Sequence, residues 1–120
     1  MESNSELHQS KVRAGMLSIR SERNGTIHRI ALEGELDLAN ADKLETALDA
    51  ALAGSRRVVL DMAALTFIDS TGIALLVAAL GHEGSEDRLR FVPSQSLAVT
   101  RVLEITGVDS RLPCADGASL

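Results

Sequence analysis

Polar and apolar positions change period several times along the chain. Residues 1–12 are polar and unpatterned and read as a tail. Residues 16–20 form a short run with an apolar centre, a first strand. The Asn24-Gly25 dipeptide is a strong turn signal. Residues 26–33 then alternate, with Ile27, Ile30 and Leu32 among polar neighbours. This predicts the second strand of a hairpin, with a register defect near Arg29. Gly34-Glu35-Leu36-Asp37 ends that strand. Leu38, Ala41, Leu44, Leu48, Ala51 and Leu52 recur at spacings of three and four, one face of a helix. Asp37 or Asn40 can cap it by accepting from its free N–H groups, and Gly54 ends it. Val58-Val59-Leu60 reads as a buried strand. Residues 65–68 approach a turn, and Asp69 or Ser70 caps a helix over 71–80. That helix is apolar on every side, so it is expected to be buried on more than one face. Gly81 and Gly84 close it. Residues 89–92 form another strand, stopped by Pro93. A last amphipathic helix over 94–106 uses Leu97, Val99, Val102, Leu103 and Ile105, with Gly107 at its end. The order is β-β-α-β-α-β-α, an α/β fold in which a mixed β-sheet has helices packed on it. It makes a single domain over residues 13–114, between tails at 1–12 and 115–120.

Composition narrows the function. The 120 residues are 2% aromatic, with Phe67 and Phe91 but no Trp or Tyr. Single-stranded nucleic-acid modules stack bases on aromatic rings, and two phenylalanines make a poor platform. The net charge of -5 also opposes binding to a phosphate backbone. No direct nucleic-acid partner is expected. One cysteine, Cys114, allows neither an internal disulfide nor a cysteine-based metal site. Residues 1–9 are polar and lack the features of a signal peptide, so the expected location is cytoplasmic. Residues 58–80 are mostly apolar but contain Asp61 and Asp69, each costing about 2.5–3.5 kcal/mol at mid-bilayer. They read as strand, turn and helix, with no membrane insertion.

Most catalytic chemistry lacks its residues. His8, His28 and His82 fall in the tail, on a strand and in a loop. None has a second ligand at metal spacing. There is no phosphate loop, since neither Lys11 nor Lys43 follows a glycine-rich turn. The concentrated signal is Ile68-Asp69-Ser70-Thr71-Gly72. An aspartic peptidase would need the glycine one residue closer to the aspartate. A serine hydrolase would need an upstream glycine and a histidine base. Neither geometry can be assembled, so no enzyme activity, catalytic residue or cofactor is expected. By themselves Asp69 and Ser70 need do no more than cap a helix, worth about 1 kcal/mol.

Four ordered segments give the motif more meaning. They are Gly34-Glu35-Leu36-Asp37 before a helix; Val58-Val59-Leu60-Asp61 with Phe67-Ile68-Asp69-Ser70-Thr71-Gly72; Leu89-Arg90-Phe91-Val92; and Val102-Leu103-Glu104-Ile105-Thr106-Gly107-Val108-Asp109. Together they span about residues 16–112 and resemble a STAS domain of the bacterial anti-sigma factor antagonist type. The resemblance implies a partner switch. Such a protein binds an anti-sigma factor that is also a serine kinase, which releases a sigma factor. The kinase phosphorylates the serine after the motif's aspartate, here Ser70, and the modified form no longer binds. A serine phosphatase restores it. ATP and magnesium belong to the kinase. The implied partner-binding residues are Glu35, Asp37, Asp69, Thr71 and Gly72. Asp69 would orient Ser70 or the loop, Thr71 is the weaker acceptor, and Gly72 would give a partner room to approach. The acidic loop 81–87 departs from the basic, Ala-rich helix end of relatives and implies a short second helix. STAS domains also serve as non-switching scaffold subunits of stress-sensing complexes and transporter assemblies, the alternative reading.

Overall fold

A computed structural model describes residues 7–82 and 87–115. Nine elements follow in order: β1 Leu7–Ala14, β2 Leu17–Asn24, β3 Ile27–Leu36, α1 Ala41–Gly54, β4 Arg57–Ile68, α2 Ser70–Leu80, β5 Leu89–Val92, α3 Leu97–Ile105 and a short 3-10 turn, Asp109–Arg111. The five strands form one sheet in the order β1-β2-β3-β4-β5. The pairs β1/β2 and β2/β3 are antiparallel; β3/β4 and β4/β5 are parallel. The α/β class and the mixed sheet match the expectation from sequence.

One strand more is present than the pattern predicts. The assigned tail, 1–12, overlaps β1, which pairs with β2 along its whole length. Ser10, Lys11 and Arg13 give it no apolar alternation. A strand at the end of a sheet is held by its backbone ladder and needs little burial. The Gln9 side chain reinforces it by donating to Glu22 Oε2 at 3.2 Å. Residues 1–6 of that tail lie outside the described residues, as do Gly84 and residues 116–120. At the far edge the chain turns back: Phe91 N donates to Pro113 O at 2.8 Å and Ala115 N to Phe91 O at 2.9 Å. Ala115, assigned to a tail, is therefore tied to β5.

The expected register defect near Arg29 is absent, since β2 and β3 pair without a shift. His28 takes the inward position before Ile30 and Leu32, so the alternation continues through a polar residue. The irregularities lie on the other side of β3, between Ala31 and Glu33 and between Gly34 and Glu35. Gly34 has φ 109°, and a Cβ there would sit 2.1 Å from Met16 O. Only glycine fits that conformation beside that carbonyl.

The core lies on the face of the sheet that α1, α2 and α3 cover. Ile19, Ile30, Leu32, Val58, Leu60, Leu89 and Phe91 meet Leu44, Leu48, Leu76, Val99 and Leu103 there. The opposite strand positions carry Arg20, Glu22 and Arg29, with Asp61 buried and ion-paired to Arg29. Residues 58–80 are β4 and α2, as read. Helix α2 has buried positions Gly72, Leu76 and Ala79 and partly buried Ile73, Leu75, Val77 and Leu80. Two predicted core positions of the last helix are corrected: Leu97 and Ile105 are exposed, and α3 rests on Val99 and Leu103. Arg88 supplies a cation at the end of α1, whose last turn has no basic residue of its own. Its guanidinium donates to the Leu52 and Ser55 carbonyls.

Candidate functional site

The parallel strands β3 and β4 end side by side, with Leu36 opposite Ile68. The loops that follow them form the site, as is usual at the carboxyl ends of parallel strands. Asp69 ties the two loops together. Its backbone N donates to Leu36 O at 3.2 Å. Its Oδ1 accepts from Gly72 N at 3.0 Å, capping α2. Its Oδ2 accepts from Leu38 N at 3.1 Å, across in the β3–α1 loop. Asp69 is thus the cap, and Ser70 is the first residue of α2 with an exposed side chain. Thr71 follows, half-buried.

The β3–α1 loop is shaped from within. Asp37 Oδ1 accepts from Ala39 N at 3.0 Å, and Asp37 O accepts from Asn40 N and Ala41 N at the start of α1. Asn40 precedes α1, yet its side chain makes no cap. It is fully buried, donating to Glu35 O at 2.9 Å and accepting from Asp37 N at 3.0 Å. The capping expected of Asp37 or Asn40 is therefore done by the Asp37 main chain, while Asn40 closes the loop on itself. Glu35 sits one step back on β3, opposite Phe67, its N donating to Met16 O at 2.9 Å.

Gly72 is buried, and its missing side chain makes room for the protein itself. A Cβ at Gly72 would lie 2.7 Å from Ile68 Cγ1 and 2.9 Å from Leu36 Cγ. That corrects the expectation that the space serves an approaching partner: the glycine lets α2 start directly on the sheet. Glu35, Asp37, Asp69, Ser70 and Thr71 share the same end of the sheet.

Three further residues are conspicuous there. Leu38 is 76% exposed, Met16 67% and Phe67 44%. Leu38 fits the helical spacing of α1 and reads as core, but α1 begins three residues later. Its main chain is held by the Asp69 bond while its side chain stays exposed. Met16 belongs to a two-residue turn and Phe67 to a strand end, so no periodicity marks either.

A family model described as "Mlab, STAS domain" matches residues 19–113. The chain belongs to the STAS domain family. An anti-sigma-B factor antagonist of Staphylococcus aureus is 25% identical to this STAS domain over 105 residues, covering 87% of this chain and 97% of the relative. A solved anti-sigma factor antagonist from Mycobacterium paratuberculosis superposes with a TM-score of 0.72 at 27% identity, covering 82% of this chain and 84% of that one. The anti-sigma factor antagonist SpoIIAA in its unphosphorylated form shares the fold, with a TM-score of 0.63 at 16% identity over 94% of this chain and 90% of that one. No helix among the described residues of this STAS domain is long and apolar enough to cross a membrane.

Proposed function

We propose that this STAS domain is an anti-sigma factor antagonist that binds an anti-sigma factor with serine kinase activity and is switched off by phosphorylation of Ser70. The observation that carries the reading is an exposed hydroxyl at the first position of α2, beside Asp69. The exposed Leu38, Phe67 and Met16 at the same end of the sheet support a protein partner, since exposed apolar side chains at a polar rim suit such contacts.

Phosphate at Ser70 would add roughly -1.5 to -2 charge at pH 7. A helix N-terminus favours an anion, so α2 should persist. The partner surface is what changes. Carboxylates of Asp37, Asp69 and Glu35 already stand at that end, and the apolar residues must be desolvated on binding. A tenfold loss of affinity takes only about 1.4 kcal/mol, which repulsion and desolvation of one phosphate readily supply. A serine phosphatase would reset the switch.

The test uses the cognate anti-sigma kinase with ATP. Mass spectrometry should find about 80 Da, one phosphate, on Ser70 and none in Ser70→Ala. Ser70→Ala should bind the kinase as wild type does, and Ser70→Glu at least tenfold more weakly. Equal binding by Ser70→Glu overturns the switch. Phosphate on Thr71 alone moves the acceptor. Stable co-purification with a transporter or stress-complex scaffold, unaffected by Ser70→Glu, would establish the scaffold role instead.

A further inference from the structure

The sheet is covered on one face only. Helices α1, α2 and α3 pack on the same side. The parallel strands β3, β4 and β5 are bare on the other, although parallel strands are usually covered on both. The strand register places Lys11, Arg13, Arg20, Arg29, Arg57 and Arg90 on this bare face. They are six of the chain's 12 Lys and Arg. Only four of its 17 Asp and Glu stand there: Glu22, Glu33, Glu35 and Asp61. A chain of net charge -5 thus carries one basic face.

Three of these cations cluster at the β1–β2 edge. Lys11 lies directly opposite Arg20, and Arg13 is two residues further along β1 on the same face. Like charges set opposite each other cost stability. Asp61 is taken by Arg29, and Glu22 only approaches Arg20 Nε, at 3.9 Å. Lys11 and Arg13 have no acidic partner among the described residues. Beside Arg20 the surface is low: Ser18, Ala31, Ala63 and Ala64 line a shallow groove, so another backbone can come close. Away from Phe67, at the Ser70 end, the face has no exposed large apolar side chain among the described residues. It offers nothing there to insert into lipid or to stack on bases.

The acidic counterpart is on the helical layer. Asp42, Glu45 and Asp49 recur along α1 at spacings of three and four, and all three are exposed. None is ion-paired among the described residues. Glu45 and Asp49 rim a shallow groove against α2, where the exposed residue is the small Ala78. The stripe runs about 10 Å along the helix axis. Lys11 and Arg13 are about 7 Å apart along β1, with Arg20 about 5 Å away on β2. Three carboxylates and three long cationic side chains therefore match in number and spacing.

We propose that the chain associates head to tail with a second copy of itself: Asp42, Glu45 and Asp49 of one copy lie on Lys11, Arg13 and Arg20 of the next. The two surfaces differ and lie on opposite sides of the sheet, so the contact repeats and builds open stacks, not a closed two-fold dimer. It buries little apolar area, so it is weak and held by charge. It uses none of the residues assigned to the Ser70 end and is independent of the function proposed there.

The test is sedimentation velocity of the full chain, followed by interference because the chain has no Trp or Tyr. Between about 10 μM and 1 mM, the range of weak complexes, the sedimentation coefficient should rise with concentration at low salt. It should return to the monomer value as salt is raised. Lys11→Glu with Arg20→Glu reverses one surface, and Glu45→Lys with Asp49→Lys reverses the other. All four residues are exposed, so both variants should keep the wild-type circular dichroism, and each alone should stay monomeric. Mixed together they should associate again, because each reversed surface now meets its complement; a variant that had merely misfolded would not. A wild type that stays monomeric at low salt overturns the proposal and leaves the basic face to an acidic chain of another kind. Association that grows with salt, that stops at two copies, that persists in either variant or that fails to return in the mixture also overturns it.

Discussion

Asp69 holds two loops with one carboxylate, and removing it should cost more than a helix cap. Asp69→Ala deletes the bond to Gly72 N at 3.0 Å and the bond to Leu38 N at 3.1 Å. The first is an N-cap, worth about 1 kcal/mol. The second is charge-assisted but faces solvent, worth about 1 kcal/mol as well. The negative charge at the start of α2 adds about 0.3–1 kcal/mol. The expected loss is about 2–3 kcal/mol, or roughly 6–15 °C in Tm for a domain of this size. Asp69→Asn separates the terms. Its single carbonyl oxygen can serve Gly72 or Leu38 but not both, and its NH2 must face the other N–H. It should lose about 1–1.5 kcal/mol. Urea unfolding followed by far-UV circular dichroism measures both, because a chain without Trp or Tyr gives little fluorescence. Hydrogen exchange at the Leu38 amide should quicken in Asp69→Ala, since that loop loses its tie to β4–α2. If Asp69→Ala unfolds within 0.5 kcal/mol of wild type, or Asp69→Asn costs as much as Asp69→Ala, the two-bond account is wrong.

The other predictions concern residues around that tie and His28 on β3. Gly72→Ala forces a Cβ to within 3 Å of two buried side chains; overpacking of about 1–3 kcal/mol should outweigh a helix-propensity gain of at most about 1 kcal/mol, so urea midpoints should fall. Leu38→Glu alters an exposed side chain and should leave stability within about 0.5 kcal/mol, yet weaken kinase binding at least tenfold in calorimetry. For His28, burial and Arg23 lower the folded-state pKa below its ordinary 6.5. The unfolded chain then binds more protons just below pH 6.5, so stability falls as pH drops through that value and levels off below the folded pKa. His28→Gln should remove this slope, gaining on wild type between pH 7.5 and 5.5 in parallel urea titrations; identical slopes would contradict the burial argument.

Several elements were legible because local chemistry agreed with the fold. The unbroken Val58-Val59-Leu60 run is buried in β4, the all-round apolar stretch after Ser70 is α2 against the sheet, and Gly107, with φ 77°, ends α3. β1 was not legible, because backbone pairing leaves no mark on side-chain pattern. Leu38, Leu97 and Ile105 misled for the converse reason: they keep helical spacing, but burial depends on what lies opposite them, and nothing does.

The same division applies to the site. The order of elements from β2 onward and the Asp69-Ser70 step follow from the sequence itself, since they depend on residue type and on neighbours a few positions away. What Asp69 bonds across the gap, why Gly72 must lack a side chain, and which apolar residues surround Ser70 depend on contacts between segments about 30 positions apart. Only the tertiary structure decides those, because the pairing of β3 with β4 is what brings Leu36 and Leu38 against Ile68, Asp69 and Gly72.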